Sequence, residues 1–146
     1  MRNTLLSILL IGLFQSTVFA NKIEIKTDEA PLPIGTYSQA IKSGSTVYLS
    51  GQIAISPKTG ELISDNIEEQ VIQTMKNLEQ VVIAAGGSLD DIVKLTVFLT
   101  DLKNFNCVNN VMENIFKRPY PARSAVEIKA LPKGAKIEIE AIMNIP

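Results

Sequence analysis

Residues 65–100 read DNIEEQVIQTMKNLEQVVIAAGGSLDDIVKLTVFLT, and the period of their apolar side chains changes once. Ile67, Val71, Met75, Leu78, Val82 and Ala85 recur at spacings of four and three, which places them on one stripe of a helix of about five turns. Asp65 is a candidate cap with Glu68 three residues on, and Gly86-Gly87 can end the helix. Beyond the glycines, Val93, Leu95, Val97 and Leu99 alternate with Lys94, Thr96 and Phe98, the period of a strand.

Upstream, Lys22 to Thr27 alternates with Ile23 and Ile25 on one face, so it reads as a first strand. Ala30-Pro31-Leu32-Pro33 stops it, because two prolines remove donors and fix φ. Tyr37 to Lys42 and Thr46 to Ser50 are short β-type runs joined by Ser43-Gly44-Ser45, which suits a hairpin, and Ser56 to Gly60 is a second turn cluster. Downstream, Phe105, Val108, Met112, Ile115 and Phe116 have helical spacing over about 104–116, and Pro119 and Pro121 end the run. Two closing strands, near Ser124 to Ala130 and Lys136 to Met143, flank a turn at Leu131-Pro132-Lys133-Gly134. The order is β-β-β-α-β-α-β-β, an α+β chain. Two amphipathic helices on one face of a mixed sheet bury both stripes economically. Val47, Leu49, Ile137, Ile139 and Ala141 look too many for two short helices to cover, so part of the opposite face is expected to be buried by further copies in a homo-oligomer.

At 146 residues, 46% of them hydrophobic and 20% charged, the chain suits one folded domain. Its 14 basic and 15 acidic residues are scattered, giving no basic stripe for nucleic acid. There is no His and one Cys, so the usual zinc and copper constellations are missing and no intrachain disulfide can form; no metal is expected. Cys107 lacks a His partner and is read as a packing residue.

Residues 1–20 differ in kind. Arg2 forms a short positive region, Leu5 to Phe14 is a ten-residue apolar run, and Val18-Phe19-Ala20 places small residues before a cut. This is the pattern of a secretory signal, and the run is short of the roughly 20 residues that span a bilayer. Cleavage after Ala20, export to the periplasm or medium, a single domain over 21–146 and no membrane attachment afterwards are expected. Loss of Arg2 takes the 14 basic residues to 13 against 15 acidic, a net charge of −2.

On the closing strands, alternation puts Arg123, Ala125 and Glu127 opposite Val126 and Ile128, and Lys136, Glu138 and Glu140 opposite Ile137 and Ile139. If the apolar sets share the helix side, Arg123 and Glu138 project together from the other face of an antiparallel pair. A guanidinium matches a carboxylate with two parallel hydrogen bonds, and a carboxylate nearby can hold and polarise a water. A surface ion pair, worth about 1 kcal/mol at most, is the alternative.

Ile34-Gly35-Thr36-Tyr37-Ser38-Gln39-Ala40, Leu49-Ser50-Gly51-Gln52-Ile53, Pro121-Ala122-Arg123-Ser124-Ala125-Val126-Glu127, Leu131-Pro132-Lys133-Gly134 and Ile137-Glu138-Ile139-Glu140-Ala141 resemble, in that order, the signatures of the reactive intermediate deaminase family, RidA branch. The likeness runs from about Ile23 to Ile142. It implies a chorismate-mutase-like fold, a homotrimer with clefts between subunits, and hydrolysis of 2-iminopropanoate and 2-iminobutanoate to 2-oxo acids and ammonia without a cofactor. It further implies that Arg123 clamps the substrate carboxylate, that Glu138 and the main-chain carbonyl of Ala125 hold the attacking water, and that Tyr37, Ser50 and Asn109 line the cleft. Gly51 would give close backbone access. Two positions depart from the family pattern: Ala125 replaces a cysteine of some relatives, which a backbone role survives, and Thr36 replaces a usual proline, which loosens the loop of Tyr37. A non-catalytic trimer holding a small carboxylate in the same clefts is the competing reading; Arg123 serves both, whereas Glu138 would hinder pure carboxylate binding.

Overall fold

The computed structural model describes residues 21–145; the export segment read at residues 1–20 lies outside them. The elements are β1 (Lys22–Ile25), β2 (Ala40–Ser43), β3 (Thr46–Ile53), α1 (Ile67–Ala84), β4 (Ile92–Leu99), α2 (Phe105–Ile115), β5 (Ala122–Glu127) and β6 (Ile137–Asn144). The sequence order of strands and helices is the one expected. One six-stranded sheet runs β1-β2-β3-β6-β4-β5, with β4 and β5 parallel and all other neighbours antiparallel.

Helix α1 begins one residue later than the cap expected. Asn66, not Asp65, holds extended backbone, and its Oδ1 accepts from the amides of Glu68 at 2.9 Å and Glu69 at 3.1 Å. Either side chain is chemically able to cap; the stripe phase puts Asn66 in place. Gly86, at φ +87°, ends the helix in the left-handed region, where a side chain would be strained. Val71, Met75, Leu78 and Val82 pack on the sheet as the stripe required, and Val108, Val111 and Met112 of α2 join them.

Two expectations need correction. Val93 is 50% exposed rather than inward, because the β4–β6 register shifts between Ile92 and Lys94 and gives the inward place to Ile92. Val47, Leu49, Ile137, Ile139 and Ala141 are all buried in the core beneath the helices. That core therefore supplies no surplus for further copies to cover. The open face instead carries Tyr48, Thr96, Phe98, Ser124, Val126 and Ile142, aligned by the registers Tyr48↔Ile142, Thr96↔Ser124 and Phe98↔Val126. Tyr48 and Val126 stand exposed on it.

Leu78 lies fully buried between helix and sheet. Leu78→Ala is expected to cost about 2–5 kcal/mol, and Asn66→Ala about 1 kcal/mol. Urea denaturation midpoints, at unchanged slope, measure both.

Candidate active site

Glu138 owes its position to strand parity. Ile137 and Ile139 go inward, so Glu138 points to the open face, beside the β3 main chain. There β3 has a bulge: Leu49 pairs with Ala141 and Gln52 with Ile139, leaving Ser50 and Gly51 opposite Glu140. A Cβ on Gly51 would fall 2.7 Å from the carboxyl carbon of Glu138. Glycine is what lets the carboxyl lie against this backbone. Asn77 of α1 braces the strand just beyond, donating to the carbonyls of Ile53 at 3.0 Å and Ile55 at 2.9 Å.

The loop before β2 folds over the same place. Pro31, Leu32, Ile34, Tyr37, Gly51 and Glu138 line a cavity of about 70 Å³, closed on another side by Pro132 and Lys133. That volume holds a few waters. Lys133 has φ +55°, and its Nζ donates to the carbonyl of Gly60 at 2.6 Å. Burial, and secondarily the charge of Glu140, pushes the Glu138 carboxyl above its ordinary value. The hydroxyl of Tyr37 accepts a long bond of 3.4 Å from the Ile34 amide. Ser50 has its hydroxyl committed to the Ser38 carbonyl at 2.7 Å, so it fastens this loop to the bulge.

Arg123 is elsewhere. Its β5 register partner is Leu95, a core residue, so its side chain lies on the helix side, against α2. Nη2 donates to Asn109 Oδ1 at 2.6 Å, Nη1 to Met112 Sδ at 3.2 Å, and the guanidinium carbon stands 5.0 Å from the Phe105 ring centroid. Phe105, Asn109 and Met112 are spaced four and three apart, one face of α2 aimed at one guanidinium. A cavity of about 350 Å³ opens beside it, lined among others by Leu95, Phe116, Tyr120 and Asn109. The main chain of Ala125 continues the same strand, its side chain packed on the core.

Within the chain, then, Arg123 and Glu138 do not share a face, and their strands are not neighbours. β4 separates β5 from β6; Glu138 is level with Phe98 on the open face, whereas Arg123 is level with Leu95 under the helices. The expectation failed because it assumed that Val126 faces inward. β5 is an edge strand where the small Ala125 fills the core side and Val126 is 40% exposed. Tyr37, Gly51 and Glu138 form one cluster, with Ser50 behind them; Asn109 and Arg123 form another. Neither cavity is lined by both key residues. Phe105 and Met112 were missed as supports of Arg123, although their spacing with Asn109 on one helix was the available signal. Cys107 is free and partly exposed on α2, with its thiol pushed up by burial and then by Glu68, which disfavours a thiolate nucleophile.

The model of the family described as Endoribonuclease L-PSP matches residues 27–145. The RutC family protein y4sK of Sinorhizobium fredii is 51% identical over 121 residues, 83% of this chain and 96% of that one. The 2-iminobutanoate/2-iminopropanoate deaminase of Homo sapiens is 45% identical over 118 residues, 81% of this chain and 86% of that one. Among solved structures, RidA from the Antarctic bacterium Psychrobacter sp. PAMC 21119 superposes with a TM-score of 0.82 at 49% identity, covering 84% of this chain and 99% of that one.

The raised carboxyl of Glu138 has a consequence for stability. Above the ordinary glutamate value of 4.5, the folded chain keeps a proton that the unfolded chain has lost, so stability falls as pH rises through that window. Below it both states are protonated and the burial of Glu138 is free of this cost. Glu138→Gln is therefore expected to raise the urea midpoint at neutral pH, with the gain vanishing below pH 4.5; a gain that persists unchanged in acid contradicts it.

Proposed function

The chain belongs to the family described as Endoribonuclease L-PSP, and we propose that it hydrolyses the reactive enamine/imine acids 2-iminopropanoate and 2-iminobutanoate to 2-oxo acids and ammonia. The observation that carries this is the 45% identity, across most of both chains, to a protein named for that reaction. The chemistry of the two half-sites agrees with it. Arg123 is held by neutral partners, so its free N–H groups can take a substrate carboxylate. Glu138 has a raised proton affinity and a cavity of water size beside it, which suits a base that receives a proton from water.

In the reaction, a water oxygen held by Glu138 and the main-chain carbonyl of Ala125 attacks C2 of the protonated imine. Its proton passes to Glu138, the resulting carbinolamine takes that proton on nitrogen, and the C–N bond breaks as Glu138 takes the remaining hydroxyl proton, giving the 2-oxo acid and ammonia, which leaves with that proton as ammonium. The electrophile is already activated, so orientation and one base suffice. Tyr37 forms the rim of the cleft, and Asn109 fixes the guanidinium.

The cleft is proposed to form between copies, in the homotrimer that the family likeness implies. Each copy offers a Glu138 half on its open face and an Arg123 half at its β5 edge. Two different patches meeting head to tail make a closed ring of identical clefts, and the exposed Tyr48 and Val126 give the open face apolar area to bury. Export by residues 1–20 is proposed from sequence pattern alone; mature protein beginning at Asn21 supports it, and Met1 retained in exported protein defeats it.

Ammonia release from 2-iminobutanoate, generated in situ by a dehydratase, is expected for the wild type and reduced about 10²-fold or more in Arg123→Ala and in Glu138→Ala. Equal rates for all three, or cleavage of RNA in place of ammonia release, remove the assignment. When the two inactive variants are unfolded and refolded together in equal amounts, about a quarter of the intersubunit clefts carry both native side chains, and activity returns to that extent. No return, with the mixture refolded, overturns the cleft shared between copies.

A further inference from the structure

Gln39 is 2% exposed, and its side-chain amide is spent on one short loop. Oε1 accepts from the Thr27 amide at 2.8 Å, while Nε2 donates to the carbonyls of Pro31 at 2.9 Å and Thr27 at 3.0 Å, with that of Ala30 at 3.4 Å. Both amide protons are thereby used. The loop needs such a partner, since Pro31 and Pro33 have no N–H to form a ladder of their own. The main chain of Gln39 is fixed as well: its carbonyl accepts from the Ser50 amide at 3.0 Å, next to Gly51 in the bulge. One residue thus ties the loop to the backbone beneath which Glu138 lies.

We propose that Gln39 is a positioning residue, whose side-chain amide holds the loop of residues 31–37 as a roof over Glu138 and keeps bulk water from that carboxyl. The inference rests on Glu138 acting as the water-holding base. Pro31, Leu32, Ile34 and Tyr37 supply the roof. Within one copy the charged and titratable groups around Glu138 are Tyr37 from the loop, Lys133 from the turn before β6, and Glu140 on β6 itself, while β3 and β4 present Ile53 and Phe98; in the proposed assembly the Arg123 of a neighbouring copy shares the cleft. Lys133 and Glu140 stand on elements that the Gln39 side chain does not touch. Releasing the roof therefore leaves their charges in place and changes mainly the access of water to Glu138.

The carboxyl of Glu138 is titrated by carbon NMR in the assembled protein without substrate, its signal identified by its loss in Glu138→Gln. In Gln39→Ala the midpoint is expected to move down from the wild-type position as water reaches the carboxyl, and the acid limb of the kcat/KM profile to move with it. Gln39→Met covers the case in which the alanine variant does not fold: it nearly keeps the size and stays uncharged, but it cannot donate to the loop carbonyls, and the same downward shift is expected. A folded variant with lowered urea midpoint but an unmoved Glu138 titration makes Gln39 a structural residue only and overturns the proposal. Absence of ammonia release by the wild type would instead defeat the proposed reaction, and the substrate-free titration still decides the role of Gln39.

Discussion

β6 is the last strand in the chain and the one the sheet closes around, antiparallel to β3 on one side and to β4 on the other. Its inward residues Ile137, Ile139, Ala141 and Met143 are buried in the centre of the core. Each large aliphatic side chain among them stabilises by about 1.5–3 kcal/mol. A slip of one residue would expose all four and drive Glu138 and Glu140 under the helices. The hydrophobic set therefore fixes the register, and the register fixes the carboxylate. Glu138 is placed on the open face by the burial of its neighbours, not by any attraction of its own.

What β6 places, β3 has to accommodate. A regular strand would put a side chain where the Glu138 carboxyl lies; the bulge at Ser50 and Gly51 removes it and turns bare backbone toward the carboxyl. Just past the bulge β3 ends at Ile53, and buried carbonyls left without partners at a strand end are costly. Asn77, itself buried, supplies donors to Ile53 and Ile55. The polar side chain that interrupts the apolar face of α1 is thus explained by the end of a strand 24 residues away in sequence.

The periodic elements could be read directly from sequence because their signal is local. α1 and β4 each carry a repeating pattern long enough to fix type and facing side, apart from Val93, where a register shift breaks the parity. Strand neighbours could not be read so. Alternation along β5 says that Arg123 and Val126 point oppositely, but not which of them is inward. That depends on the parallel pairing of β5 with β4 and on how far the helices extend over the edge. The two residues singled out for chemistry were therefore assigned a shared face that the strand pairing does not give them. Gln39 and Asn77 escaped notice for a similar reason: their partners are backbone groups of irregular segments, which carry no periodic signal.

Keeping Arg123 and Glu138 apart within a subunit has an electrostatic rationale. Side by side in one chain they would pair, which would lower the carboxyl's proton affinity and fill the donors of the guanidinium. As placed, Arg123 is oriented by an amide oxygen, a thioether and a ring face, all uncharged, and among the described residues it has no carboxylate within ion-pair distance. Glu138 is partly desolvated, with Glu140 as its nearest like charge. Within its own chain each group thus keeps the property that the proposed reaction would draw on: an unneutralised positive charge to receive an anionic substrate, and a carboxyl of raised proton affinity to take a proton from water. In the proposed cleft the substrate's own carboxylate is the group that meets the guanidinium, so its arrival neutralises Arg123 without neutralising the base.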